Sequence, residues 1–190
     1  MECSKKSKSI IGATLLLTKA FEILHWVGTA SMLALGICSV AGRRWLQDLL
    51  EDRADEFGTE LSSYGFEITV ADSDGAVNMT AVLLFSIAAL MIFSLVAMIF
   101  RNMYLITKNA KNSTPFHADN IRMLKEIGIF SISVPVVGLL MSTVARLVIG
   151  VDAVETSVNM YGLSMGLIIL CLTQFFLHGA KLEEDVDGLL

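Results

Sequence analysis

Three ionisable residues stand at a regular spacing near the start of the chain: Lys19, Glu22 and His25. Each follows the last by three positions, and on a helix this spacing places neighbouring side chains on one face. At the entrance to an apolar stretch, such a cluster fits two roles. It can line a path for a proton or a polar ligand, or it can be an interfacial ladder whose long side chains reach water. The ladder is the simpler interpretation.

Signals for other chemistry are weak. His25, His117 and His178 are far apart and have no second ligand at a metal-binding spacing. There is no Gly-rich phosphate loop and no nucleophile elbow. The acidic segment 72–75 lacks the glutamate that a calcium loop needs at its twelfth position. We therefore predict a protein that is not an enzyme, with no cofactor and no metal.

The composition indicates a membrane protein. The 190 residues are 54% hydrophobic and 17% charged, with a mean hydropathy of +0.66, whereas soluble domains average roughly 45–50% apolar and 25% charged residues. Four apolar stretches have about the 20 residues that a helix needs to cross a bilayer. They lie at 23–42, 79–99, 127–149 and 158–177. Since open backbone is costly in lipid, we predict an all-α polytopic protein that forms one membrane domain, 1–190, in a lipid bilayer.

The distribution of charge predicts the orientation. Basic residues gather before the first span and in the 100–126 link, whereas the 43–78 segment carries nine acidic and three basic residues. By the positive-inside rule, both termini, the link and the 178–190 tail are cytoplasmic, and 43–78 forms a small extracytoplasmic cap. We expect a short helix within 45–57 and a strand at 66–70 in this cap. The second helix should continue past Arg101, and a helix at 118–126 should lead into the third span.

The two cytoplasmic stretches carry a family resemblance. The link contains Thr114-Pro115-Phe116 and then Asn120-Ile121-Arg122-Met123-Leu124-Lys125-Glu126-Ile127-Gly128, and the chain ends with a Gly, Leu and acidic motif at 179–190. With four spans in this length, these motifs resemble the bacterial family called domain of unknown function 2975 (DUF2975). Many of its members carry Thr or Ser where this chain has His117, a residue less suited to cap the following helix.

The resemblance implies a location and a partner. It implies the bacterial cytoplasmic membrane, and similar proteins are commonly encoded beside a small helix-turn-helix regulator. We therefore expect a regulatory or accessory protein that sequesters or signals to such a DNA-binding protein, without binding nucleic acid itself. The alternative is a small transporter or immunity-type protein that acts on a ligand. The sequence does not define the oligomeric state.

The candidate partner-binding residues come from the two motif stretches. They are Pro115, Phe116, Asn120, Arg122, Lys125, Gly179, Leu182, Glu183, Glu184, Asp185 and Asp187. Because the third and fourth spans are antiparallel, both stretches should meet on one side of the membrane. Two roles stay open: a clasp in which Arg122 and Lys125 face the acidic tail, or a surface whose excess negative charge attracts a basic protein.

Two further features have structural explanations. The Gly162-x-x-x-Gly166 spacing lets another helix approach closely, and in a four-helix bundle it indicates internal packing rather than a dimer face. Arg146, near the outer end of the third span, either reaches water or serves as a counter-ion for Asp152 or Glu155.

The orientation can be tested by labelling single-cysteine variants in intact cells with a membrane-impermeant maleimide. We expect labelling at Ser62→Cys and none at Ser113→Cys, because the first lies in the acidic segment and the second in the basic link. Ready labelling at position 113 with none at 62 would reverse the assignment.

Overall fold

The computed structural model describes residues 2–53, 60–71, 76–109, 116–154 and 160–187, and of residues 2–9, 153 and 187 it describes the backbone only. The acidic segment 72–75, Pro115 and the last three residues lie outside this part of the chain. The described helices and strands are, in chain order, α1 (Glu2–Ala41), α2 (Arg43–Glu51), β1 (Glu60–Ser63), β2 (Phe66–Thr69), α3 (Met79–Asn109), α4 (Ala118–Val148), a 3-10 turn (Val151–Ala153) and α5 (Met160–Asp187).

Four helices are long and apolar enough to cross a membrane: Ile10–Ala41 within α1, then α3, α4, and Met160–Val186 within α5. The predicted all-α membrane fold with four spans is therefore confirmed. All four helices extend well past the predicted spans, and the apolar part of α1 begins at Ile10 rather than at 23. α3 runs on to Asn109 and α4 begins at Ala118, as expected, and α5 continues to Asp187 instead of ending near Leu177. At 1.5 Å per residue, the 28 residues of α5 extend about 42 Å, which exceeds a hydrocarbon core of about 30 Å.

The segment between α1 and α3 contains a short helix and a hairpin. α2 overlaps the predicted 45–57 range but begins two residues earlier, at Arg43, and β2 confirms the predicted strand at 66–70. The sequence did not predict β1, which pairs with β2 in antiparallel register from Glu60↔Thr69 to Ser63↔Phe66. Tyr64 and Gly65 make the turn with φ values of 49° and 91°, the positive values that tight hairpin turns need.

The hairpin is anchored by its apolar face. Phe66 and Ile68 are fully buried, and the Phe66 ring stacks on Phe85 of α3 with 6.2 Å between ring centroids. Tyr64 meets Phe93 edge to face at 6.1 Å, and burial raises the pKa of the Tyr64 phenol. These contacts hold the cap against α3 through side chains rather than through a larger sheet.

Contacts divide the chain into two compact units, and each long helix contributes to both. Unit 1 comprises Met1–His25, Leu95–Ser133 and Tyr161–Leu190. Unit 2 comprises Trp26–Ser94 and Val134–Met160. The single membrane domain inferred from the sequence stays a prediction.

Small residues let helices approach one another within unit 2. A Cβ atom added to Gly28 of α1 would lie 3.0 Å from the Phe93 ring of α3, and one added to Gly36 would lie 3.0 Å from Ser86 Oγ. The buried core nearby includes Val82, Ser86 and Ile92. α1 therefore packs on α3 through surfaces that a larger residue would push apart.

Arg146 of α4 also lies in unit 2. Its guanidinium Nη2 donates to the backbone carbonyl of Val154 at 3.2 Å. The side chain thus holds the connection that follows α4. Asp152 lies in that connection, and Glu155, the other expected counter-ion, is outside the described residues.

The tightest helix contact in unit 1 joins α4 and α5. A Cβ atom on Gly166 would lie 2.9 Å from the carbonyl oxygen of Gly128 and 2.5 Å from Ile132 Cγ1. One on Gly128 would lie 2.8 Å from Leu170 Cδ2. Gly166 therefore packs inside the protein, as the sequence indicated.

Gly166→Ala should destabilise the protein by roughly 1–3 kcal/mol, because the added methyl group meets backbone atoms that cannot rotate away. Gly12→Ala is the matched control: its Cβ would meet no atom within 4 Å, and alanine favours the helix by up to about 1 kcal/mol. Thermal unfolding in detergent micelles, followed by circular dichroism, should show a lower Tm for Gly166→Ala and an equal or higher Tm for Gly12→Ala. Equal stability of the two variants would contradict this packing.

Candidate functional site

The candidate site lies in unit 1, where the start of α4 meets the end of α5. His117 immediately precedes α4, and its carbonyl oxygen accepts hydrogen bonds from the amides of Asn120 at 2.9 Å and Ile121 at 3.2 Å. Its ring Nδ1 accepts a further bond from the Asp119 amide at 3.3 Å. His117 thus supplies a cap for this helix end, and it fixes where α4 begins.

Phe116 joins the link to the tail. Its ring lies 5.7 Å from the ring of Phe176, at an angle of 53°. It also covers Gly179 so closely that an added Cβ would be 2.6 Å from Phe116 Cε1. The absence of a side chain at position 179 thus creates the space that the ring fills. We call the resulting area, formed by 116–125 and 179–187, the link–tail surface.

Asn120 is an internal part of this region. Its side chain is 5% exposed, and its Oδ1 accepts a hydrogen bond from Asn109 Nδ2 at 3.3 Å. The bond connects the last residue of α3 with the first turn of α4. Asn120 therefore positions the link, and its side chain is not displayed to a partner.

Among the described side chains, the basic residues of the link form no ion pair with the tail. Arg122 lies 3.9 Å from Asp119 and 3.9 Å from Glu126, both on its own helix. Lys125 is exposed. Within the described residues, no ion pair joins either side chain to Glu183, Glu184 or Asp185. The link and the tail are thus held together by an aromatic contact instead of by charge.

The end of α5 presents acidic and apolar side chains together. Glu184 and Asp185 are exposed and Glu183 is partly buried, while Leu182 and Val186 are 54% and 58% exposed. Asp187 ends the helix, with its side chain outside the described part. Acidic groups at a helix carboxyl end face the negative pole of its dipole, which costs about 0.3–1 kcal/mol each. Helix stability alone therefore does not account for them.

The Lys19, Glu22 and His25 cluster also lies in unit 1, and the structure confirms that its neighbours share a face. Lys19 Nζ is 2.9 Å from Glu22 Oε2, with side-chain exposures of 47% and 10%. Lys19 also lies over the Tyr104 ring at 5.2 Å. The lysine therefore reaches the surface, as a ladder requires, and neutralises a carboxylate that is buried against α3.

His25 continues this face toward the apolar part of α1. Its Nδ1 donates to the carbonyl of Phe21 at 2.8 Å, and its ring lies 5.3 Å from that of Phe100 on α3. Phe21 stacks on the same Phe100 ring at 5.1 Å. The histidine is thus part of the packing of α1 on α3.

Two polar residues that the sequence did not single out connect α3 with α4. Asn102 is 4% exposed, and its Nδ2 donates to Glu126 Oε2 at 2.9 Å. A lone amide beside Arg101 in a largely apolar stretch was the available signal, because a buried amide needs a partner. The sequence does not show that its partner is Glu126, because the two residues are on different helices.

A metal centre is not formed by the described residues, where no group of three His, Cys, Asp or Glu side chains comes together. Comparison with known protein families, curated proteins and solved structures gives no match for this chain. Inferences about function therefore rest on the contacts and charges of this chain alone.

Gly179→Val should detach Phe116 from α5, because the new side chain occupies the space of the ring. Amide hydrogen exchange at 118–122 should accelerate by roughly fivefold to tenfold as the start of α4 loses its anchor. His178→Val, one residue earlier on an exposed position, is the matched control and should leave exchange unchanged. Unchanged exchange in both variants would show that the contact does not order the link.

Proposed function

We propose that this chain is a regulatory or accessory protein of the bacterial cytoplasmic membrane. In this proposal it holds a basic protein, of the small helix-turn-helix regulator type, at the link–tail surface. Both termini face the cytoplasm, as the charge distribution predicts. The likeness to the DUF2975 family agrees with this role and stays a prediction.

The observation that carries the proposal is the Phe116 contact with Gly179 and Phe176. It brings the two motif-bearing stretches together, so a partner can touch both at once. It uses no charged group, and the acidic side chains of the tail therefore remain available for other interactions.

The chemistry of the surface favours a basic partner. Arg122 is engaged by acidic residues of its own helix, so it does little to offset the negative charge of the tail. An excess of one charge steers an oppositely charged protein and speeds its association. Exposed Leu182 and Val186, on the same helix end, add the apolar area that a specific contact needs.

A regulatory role also agrees with the polar content of unit 1. The buried polar side chains of unit 1 pair with one another: Lys19 with Glu22 on α1, and Asn102 of α3 with Glu126 of α4. Each pair satisfies its own buried group, which is what helix packing requires. A transporter or immunity-type protein acting on a ligand is the alternative, and substrate-dependent flux in liposomes holding only this protein would favour it.

The proposal predicts that neutralising the tail weakens capture of the regulator. We expect Glu183→Gln, Glu184→Gln, Asp185→Asn and Asp187→Asn together to raise Kd by roughly 10- to 100-fold, at about 0–1 kcal/mol per exposed pair. The salt dependence of binding should fall as well. The measurement is the Kd of the purified full-length protein for the regulator recovered from native membranes, at several salt concentrations.

A second quadruple variant controls for net charge. Asp48→Asn, Asp52→Asn, Glu60→Gln and Glu67→Gln remove the same number of negative charges from the segment between α1 and α3. This variant should bind the regulator with unchanged affinity. Equal weakening in both variants would point to net charge alone, and full binding by the tail variant would remove the link–tail surface as the partner site.

A further inference from the structure

An apolar groove runs along unit 2 between the second half of α1 and the start of α3. Its volume is about 380 Å³, and residues 32–41 and 83–90 line it. Leu33, Ile37 and Val40 are 53%, 58% and 67% exposed, so the groove opens onto the apolar helix surface that a bilayer covers.

The groove leads into a polar cavity. The second cavity has a volume of about 170 Å³ and shares Val40 and Leu83 with the groove. Its polar lining consists of Ser39, Arg43 and Thr80. The groove and the cavity therefore adjoin at Val40 and Leu83, and together they form a depression with an apolar body and a polar end.

The polar end is electropositive. Arg43 supplies a full positive charge, and Thr80 belongs to the first turn of α3, where the helix dipole adds roughly half a positive charge. The Asn78 side chain accepts the amides of Thr80 and Ala81 at 3.0 and 3.3 Å, which fixes this turn in place. The Arg43 guanidinium and the Thr80 hydroxyl are donors that suit a phosphate group.

The length of the groove matches one leaflet. The stretch from Met32 to Ala41 rises about 14 Å along α1, close to half of a hydrocarbon core of about 30 Å. Trp45, 64% exposed, follows Arg43 in the first turn of α2, just after α1 ends, and an aromatic residue in such a place marks the membrane interface. A membrane-spanning helix of another protein would contact α1 over the full thickness of the hydrocarbon core, which is about twice the length of the groove.

We propose that this depression binds one anionic phospholipid. An acyl chain lies in the groove, and the headgroup phosphate lies between Arg43 and Thr80. The site belongs to unit 2 and does not depend on the proposed partner surface. The positively charged end favours anionic headgroups over neutral ones, and the apolar groove positions the acyl chain of the lipid.

Native mass spectrometry of the purified full-length protein tests this proposal, with dioleoyl phosphatidylglycerol and dioleoyl phosphatidylcholine as probes. We expect one phosphatidylglycerol to bind roughly tenfold more tightly than phosphatidylcholine, and Arg43→Gln to remove this preference. Arg44→Gln is the matched control, since Arg44 does not line the cavity, and it should retain the preference.

The acyl part is tested by filling the groove. Val40→Trp should lower binding of both lipids, whereas Leu147→Trp, at an 83% exposed position on α4, should not. Ile37→Trp serves if Val40→Trp does not fold, as judged by circular dichroism.

Three results would overturn the proposal: equal binding of the two lipids, equal loss in Arg43→Gln and Arg44→Gln, or unchanged binding after the groove is filled. A protein dimer that Val40→Trp abolishes and that excludes lipid would assign the groove to a second copy instead.

Discussion

Close packing of α4 on α5 at Gly128 and Gly166 is the constraint on which the candidate partner surface depends. Lipid is as apolar as the side chains that helices bury, so helices in a membrane associate through shape and hydrogen bonds. Phe116 precedes Gly128 by 12 residues, and Gly179 follows Gly166 by 13 residues. At 1.5 Å per helical residue, both separations are about 18–20 Å, and they run in the same direction because the two helices are antiparallel. These nearly equal distances bring the aromatic ring onto the glycine. The link–tail surface thus takes its geometry from a helix contact well inside unit 1.

The buried polar side chains of unit 1 differ from the acidic side chains of its tail. Buried polar groups find partners nearby: Glu22 with Lys19 at 2.9 Å, and Glu126 with Asn102 at 2.9 Å. The tail acids have no such partner among the described side chains, and they sit at the unfavourable end of a helix dipole. The stability of α5 therefore does not explain why these acidic residues stand there.

The sequence predicted what depends on local composition. The four spans follow from the rule that backbone in lipid must be hydrogen-bonded within a helix, and β2 follows from the alternation of Phe66 and Ile68. β1 offers one apolar residue, Leu61, and its Tyr64-Gly65 turn lacks the Asn or Asp typical of such turns. The helical tail was also missed, because its acidic composition resembles a solvated end.

The candidate site was predictable to a smaller extent. The Lys19 pair with Glu22 follows from a spacing of three residues on one helix. The contact of Phe116 with Gly179 and the bond of Asn102 to Glu126 depend on how one helix is rotated against another, which spacing along the chain does not encode. For the same reason, the expected ion pairs of Arg122 with the tail gave way to pairs within α4.

α1 shows how one helix uses two kinds of contact. Its residues in unit 1 contact α3 through Lys19, which lies over the Tyr104 ring, and through His25, whose ring lies beside that of Phe100. Lys19 also pairs with Glu22 on α1 itself. Its residues in unit 2 contact α3 through Gly28 and Gly36, and the hydroxyls of Ser31 and Ser39 donate to carbonyls of α1 itself. That part of the helix offers shape without free hydrogen-bond donors. A molecule bound along it must be recognised by its shape, with specificity added only where Arg43 and the start of α3 bring charge.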